Sequence, residues 1–331
     1  MKALVYTSPG TLEFREEPKP IPKQGELLVR VAACGICGSD MHGYHGLDSR
    51  RAPPLVLGHE AAGTIEGGAR DGQRVTINPL VTCGECVDCI GGRPQICAKR
   101  ENISLPPRQG AFAEWVCVPE ENLSIVPDSM SFETAALVEP IAVSYHASEL
   151  ARRYLFKPLA EAKYLILGGG AIGLATALVL KARGATDIAL GETNSVRRQI
   201  VLEAGIHDVF DPAQTSPADD NYDVVIDAVG ASVTRETSSR VVRRGGVIVH
   251  IGLIPGSDGL DVRRITLQEI VFTGSYCYTP NDFQATLELL AEGRLGNLNW
   301  MRTRSMAEGP AVFKELDTGL ARAAKFVLVN S

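Results

Sequence analysis

The sequence predicts an α/β fold in which a mainly β part is joined to a doubly wound parallel sheet. Three observations carry this expectation. At 331 residues the chain is about twice a typical domain. Roughly its first 140 residues are rich in Gly, Pro and Cys, with short β-branched runs such as Leu27–Val31 and Trp115–Val118 between turn residues. From Tyr164 onward, short apolar runs alternate with helical stretches, as in βαβ units.

The runs expected as parallel strands are Tyr164–Leu167, Ile188–Leu190, Asp223–Ile226, Val247–Ile251 and Ile270–Thr273. A helix-like segment, Ala142–Leu155, separates them from the β-rich part. An amphipathic helix is expected over Asp282–Glu292, with a final strand at Lys325–Val329. No internal repeat or low-complexity segment interrupts this pattern.

Composition bounds the function. The chain is 45% hydrophobic and 22% charged, with a net charge of -6. Nucleic acid is not expected as a partner, because neutralising phosphates needs a basic face and no basic run here exceeds two residues. No stretch approaches the ~18 apolar residues of a membrane helix, so no membrane partner is expected. The opening Met1–Tyr6 reads as a strand and lacks the apolar core of a signal peptide, so a cytoplasmic location is expected. In that compartment clustered cysteines bind metal more often than they form disulfides.

The sharpest motif of the second half is G-x-G-x-x-G at Gly168, Gly170 and Gly173, between an apolar strand and the apolar helix Ala171–Lys181. Gly168 suits the tight turn, Gly170 the close approach of a pyrophosphate, and Gly173 close helix–strand packing. The helix start, Ala171 and Ile172, offers free N–H groups to the anion. Glu192 lies 19 residues beyond Gly173, where an acid binds the ribose hydroxyls and repels a 2′-phosphate. NAD is therefore expected over NADP, although Arg197, just past this acid, could accept a phosphate.

Four of the eight cysteines, Cys83, Cys86, Cys89 and Cys97, fall within fifteen residues as C-x2-C-x2-C-x7-C. Four thiolates match a closed structural zinc site, which leaves no position open for chemistry. An iron–sulfur cluster also takes four Cys.

Three further pieces share the right chemistry for a catalytic zinc: Cys34–His42, Leu57–Glu60 and Val138–Pro140. Such a zinc takes about three protein ligands and leaves one position open. A Cys, a His and a Glu from separate loops would meet that need. By spacing alone, Cys34-x2-Cys37 could instead be a redox dithiol, and His59–Glu60 a buried polar pair.

In order and content, Gly35–Asp40, Gly58–Glu60, the four-Cys loop, Gly110–Glu114 and Gly168–Gly173 resemble the zinc-dependent medium-chain dehydrogenases. The resemblance covers nearly the whole chain, and Glu139–Pro140 looks like the polyol, or sorbitol-type, branch. It implies a Rossmann domain, about 143–279, inserted in a GroES-like catalytic domain formed by 1–142 and 280–331. It implies Cys37 and His59 as zinc ligands, with Glu60 and Glu139 each either a ligand or just behind one. Asp40 would orient His59, Cys34 would be a buried neighbour, and Ser39 and His42 would relay the alcohol proton. Two zinc ions per chain, NAD, a small-molecule alcohol as substrate and a homo-oligomer, dimer or tetramer, complete the implied picture.

The implied activity is hydride transfer from a secondary alcohol, such as a polyol, sugar acid or sugar phosphate, to NAD. Two departures touch the substrate pocket: Gly43 stands where sorbitol-type members have an aromatic residue, and Cys277 where they place an Arg. The rival readings are a dehydrogenase of simple alcohols, a zinc-free quinone or enone reductase on the same fold, and a zinc-ribbon nucleotide-sensing protein.

Overall fold

A computed structural model describes residues 1–330. The strands Lys163–Leu167, Asp187–Gly191, Asp208–Phe210, Tyr222–Asp227, Val242–His250 and Val271–Gly274 form one six-stranded parallel sheet. Numbered along the chain, they lie in the order 3-2-1-4-5-6, the doubly wound arrangement. The residues explain the topology. Runs such as Tyr164–Leu167 and Val224–Ile226 are apolar on both faces and almost fully buried, as strands covered by helices on two sides must be.

The remaining strands build the β part. Its largest sheet places Leu123–Ile125, Arg74–Ile77, Glu60–Glu66, Glu26–Gly35, Lys325–Val329 and Met301–Ser305 side by side, with Trp115–Pro119 paired to Glu26–Gly35. The strand near the C-terminus thus pairs antiparallel with one near the start, in the register Val327↔Gly35 and Leu328↔Cys34. The parallel sheet is therefore inserted between two stretches of chain that share one β sheet. A separate apolar core fills the β part, including Leu4, Val29, Ile65, Phe112, Phe313 and Phe326.

Three elements differ from expectation. The helix starts at Val138, four residues before Ala142, and runs to Tyr154. Pro140 sits in its first turn, where a missing N–H costs nothing, so the proline that suggests a break is compatible with the start. Asp208–Phe210 is an additional edge strand, too short to show a pattern. Met301–Ser305, which reads MRTRS, is a strand without an apolar face, held by parallel pairing to Lys325–Val329. Among the described residues no helix is long and apolar enough to cross a membrane.

Candidate active site

Two clusters of metal-ligating side chains form. Cys83, Cys86, Cys89 and Cys97 converge in a lobe beside the short pair Leu80–Val81 and Glu101–Asn102. Their sulfurs lie 3.5 Å (Cys83–Cys97), 3.5 Å (Cys86–Cys89) and 3.9 Å (Cys83–Cys89) apart. A regular tetrahedron with Zn–S bonds of about 2.3 Å has edges of about 3.8 Å, so the cage has the size zinc needs. Backbone N–H groups of Glu85 and Cys86 lower the Cys83 thiol to about 6, while burial and the hydrogen bond with Cys86 raise Cys89 to about 11. One sulfur is thus poised as thiolate, which metal ligation requires.

The second cluster joins Cys37, His59 and Glu60, whose ligand atoms all lie within 4.8 Å of one another. Cys37 is the N-cap of the short helix Gly38–Tyr44. His59 precedes, and Glu60 opens, the strand Glu60–Glu66. Glu139 occupies the first turn of Val138–Tyr154 and is not part of that set. Cys37 and His59 thus lie in separate loops, while Glu60 opens a strand and Glu139 lies in the first turn of a helix.

The surroundings orient each group. Asp40 is fully buried, accepts hydrogen bonds from Cys37 N at 3.0 Å and Gly58 N at 3.2 Å, and lies 3.5 Å from His59 Nδ1. Ser104 Oγ is 3.3 Å from the same nitrogen, which leaves Nε2 turned toward Cys37 and Ser39. Burial opposes a charge on His59, but Asp40 and Cys37 override it and hold the imidazole well above its usual pKa. A proton and a metal ion therefore compete for Nε2. Burial raises Glu139 to about 7 against the pull of His59, and its Oε1 accepts a 2.7 Å hydrogen bond from Tyr278 Oη.

Sequence reasoning overlooked four partners here: Lys325, Tyr278, Ser104 and Arg51. Lys325 is buried and donates to both Glu60 oxygens, at 2.6 and 2.8 Å, and to Ile36 O at 2.9 Å. Its one signal was a lysine opening the otherwise apolar strand KFVLV. Gly35 makes the pair possible, since a Cβ there would lie 2.1 Å from Glu60 Oε2. Cys34 is buried beside them, and burial raises its thiol, which argues against a redox dithiol with Cys37.

The cluster opens on a cleft of about 580 Å³ lined by Cys37, His42, Gly170, Ala171, Arg197 and Lys325. Ser39 Oγ is 3.5 Å from His59 Nε2, and His42 is exposed on the same short helix. Across the cleft stands the glycine turn. Gly168 has φ of +102°, a conformation that side-chain-bearing residues rarely adopt. A Cβ on Gly173 would lie 1.8 Å from Gly168 O, whereas one on Gly170 would meet open space. Gly170 caps the helix Ala171–Ala182, so its free N–H groups, including those of Ala171 and Ile172, begin at the cleft. Glu192 follows the strand Asp187–Gly191, is buried, and accepts from Gly169 N and Asn194 N, both at 2.8 Å. Arg197 is exposed.

Comparison with known proteins agrees with this geometry. Residues 23–128 match the alcohol dehydrogenase GroES-like domain, and residues 171–292 the zinc-binding dehydrogenase domain. The chain is 34% identical to YdjJ, a zinc-type alcohol dehydrogenase-like protein of Escherichia coli K12, over 86% of each chain. The chain belongs to the zinc-dependent medium-chain dehydrogenases. Two relatives of this dehydrogenase carry named substrates. L-galactonate-5-dehydrogenase of E. coli K12 is 31% identical, over 89% of this chain and 88% of that one. Sorbitol dehydrogenase of Bacillus subtilis is 32% identical, over 88% and 86%. A zinc-binding dehydrogenase of Sinorhizobium meliloti, solved with NADP, is similar with a TM-score of 0.87 at 30% identity, over 99% of this chain and 98% of that one.

Proposed function

We propose that this dehydrogenase oxidises a secondary alcohol flanked by a second oxygen, of the polyol, sugar-acid or sugar-phosphate class, with NAD as hydride acceptor and two zinc ions per chain. The observation that carries the reading is the convergence of Cys37, His59 and Glu60, with Cys37 on a cleft whose lining also includes the N-terminus of a dinucleotide-type helix. Cys37 and His59 would hold the catalytic zinc, with Glu60 or Glu139 as the carboxylate beside them, and the four-sulfur cage would hold the structural one. Bound zinc supplies Lewis acidity toward an alcohol oxygen. Ser39 would take the alcohol proton and His42, exposed at the cleft, would pass it to solvent. Glu192 supports NAD, because a buried carboxylate at the ribose position repels a 2′-phosphate. The domain division at about 142/143 and 279/280 belongs to the same reading.

A carboxylate in place of a thiolate makes the metal harder and better suited to two oxygens of a vicinal diol. The named relatives act on a sugar acid and a polyol, which supports that class. A homo-oligomer is also proposed. Val271–Gly274 is the open edge of the parallel sheet, and Leu253, Ile254, Val262 and Leu267, close by in the chain, are exposed. One experiment tests the core of the proposal. Zinc content should be two per chain, and kcat/KM should favour a vicinal diol over its mono-alcohol analogue, with NAD over NADP. A ratio near one would remove the polyol class, and equal use of NADP would remove the role given to Glu192.

A further inference from the structure

Arg51 is buried, at 4% exposure, one hydroxyl away from the candidate zinc ligands. Its Nη2 donates to Ser39 Oγ at 3.3 Å, and Ser39 Oγ is 3.5 Å from His59 Nε2. Its Nη1 pairs with Asp48, while its Nε is buried with no partner. The same Asp48 is also clasped by Arg50, whose Nε and Nη2 reach its two oxygens at 2.9 Å each. One carboxylate therefore serves two guanidinium groups, and the Nε of Arg51 stays without a partner.

Structural arginines elsewhere in this chain are matched differently. Arg108, for example, is held between Glu26 and Glu101. Asp40, fully buried and within electrostatic reach of Arg51, already accepts from two backbone N–H groups and faces His59. Arg50 keeps an exposed head and lies within electrostatic reach of Tyr276 and Cys277. Arg100 stacks on Tyr276 at 4.9 Å and has no carboxylate partner among the described residues. Arg51 thus touches Ser39, while Arg50 and Arg100 both approach Tyr276, in a chain whose net charge is -6.

Gly43 is what admits Arg51. A Cβ at that position would lie 2.6 Å from Arg51 Cδ, so any larger residue would push the guanidinium away from Ser39.

We propose that Arg50 and Arg51, bridged by Asp48, form an anion subsite beside Ser39, so that the preferred alcohol carries a carboxylate or a phosphate close to its reacting carbon. The inference rests on the alcohol-oxidising reading above and narrows it. A guanidinium with free N–H groups matches either oxyanion as a planar fork, and burial strengthens the attraction. Asp48 holds the two arginines in place and gives up part of its hold when the anion arrives.

The test compares sorbitol, gluconate and sorbitol 6-phosphate with the zinc-loaded enzyme and NAD, with 2,3-butanediol as an uncharged control. At least one anion should exceed sorbitol in kcat/KM by about tenfold or more, the range of a charge-assisted hydrogen bond. Which anion leads decides between carboxylate and phosphate. Arg51→Met should bring the anion-to-sorbitol ratio toward one, and Arg51→Lys should restore part of it, because the charge returns without the fork. Gly43→Ala should lower the ratio by displacing Arg51. Arg50→Gln alters an exposed side chain and keeps the test decisive if Arg51→Met does not fold.

A wild-type preference for sorbitol over both anions, or a ratio unchanged in Arg51→Met or in Arg50→Gln, overturns the subsite. If no compound turns over, including the butanediol, the oxidoreductase reading has failed instead. Calorimetric titration of gluconate and of sorbitol 6-phosphate into the zinc- and NADH-loaded protein then still decides. Binding that weakens with Arg51→Met supports the subsite, and absence of binding to the wild type overturns it.

Discussion

Replacing Lys325 by Met tests the polar core of the site most directly. The ammonium spends its three donors on Glu60 Oε1 at 2.6 Å, Glu60 Oε2 at 2.8 Å and Ile36 O at 2.9 Å, and both partners are buried. Burial works against the charge on Lys325, but Glu60 and Cys37 more than offset it and raise its pKa. Methionine fills much the same volume and removes only the charge and the donors. The carboxylate of Glu60 then loses its ammonium partner while buried, near Glu139, whose own ionisation it already opposes. Breaking a buried pair from one side costs about 3–5 kcal/mol. Urea denaturation at fixed zinc concentration should show a loss of that size for Lys325→Met. The double variant Glu60→Gln/Lys325→Met removes both charges and should be more stable than the sum of the single effects predicts, by about 1 kcal/mol or more. A loss below about 1 kcal/mol, or additivity within about 0.5 kcal/mol, would refute the claim that the pair is a unit.

Three further outcomes are expected. Cys83→Ser should release one zinc equivalent and lower the melting temperature, whereas Cys37→Ser should leave stability nearly intact; metal analysis with calorimetry separates them. Glu192→Ala should narrow the NAD-over-NADP ratio of kcat/KM by about tenfold and raise KM for NAD, because Glu192 also anchors Gly169 N and Asn194 N. Hydrogen bonds from Arg50, opposed by burial and aided by Arg51, hold Asp48 at about 2, below its unfolded value of about 3.9. A depressed carboxylate stabilises the fold above the unfolded pKa and loses that contribution as pH falls toward the folded one. The stability difference between wild type and Asp48→Asn should thus reach at most about 2.6 kcal/mol near pH 7 and shrink between about pH 4 and pH 2; melting temperatures at both ends check it.

The parts of the fold that were legible were those with a local cause. The strands Lys163–Leu167 and Tyr222–Asp227 are apolar on both faces because helices cover both, and that shows in any window of five residues. Met301–Ser305 had no such signal, since its strand geometry comes from a neighbour that follows it in the chain. The candidate site divides in the same way. Cys37, His59, Glu60 and the four clustered cysteines are conspicuous because their side chains have few reasons to lie in Gly-rich loops. Tyr278 was silent and Lys325 showed only as a lysine opening an apolar strand, as each meets its carboxylate across more than 130 residues of chain. Gly43 was visible only as a missing ring, and its positive meaning, room for Arg51, needed coordinates.

One side chain ties the four-cysteine lobe to the segment Tyr276–Tyr278, whose last residue holds Glu139. Arg100, three residues beyond Cys97, donates to Cys97 O at 3.0 Å and lies over the ring of Tyr276, with its Nε 3.4 Å from the phenol oxygen. The next residue, Cys277, has φ of +47°, which a residue with a Cβ adopts only when its surroundings impose it. Its thiol is pushed up to about 12 by burial and by Glu139, and its other neighbours there include His59 and Cys37. The cysteine lobe therefore helps to fix the segment Tyr276–Tyr278 through Arg100. A closed sulfur cage does no chemistry itself, yet a lobe that loosened would release the constraint on Cys277 and, one residue further, on the tyrosine that holds Glu139. On this argument Arg100→Ala should change KM for the alcohol while leaving the zinc content of the four-sulfur cage unchanged, a split that metal analysis and steady-state kinetics resolve together.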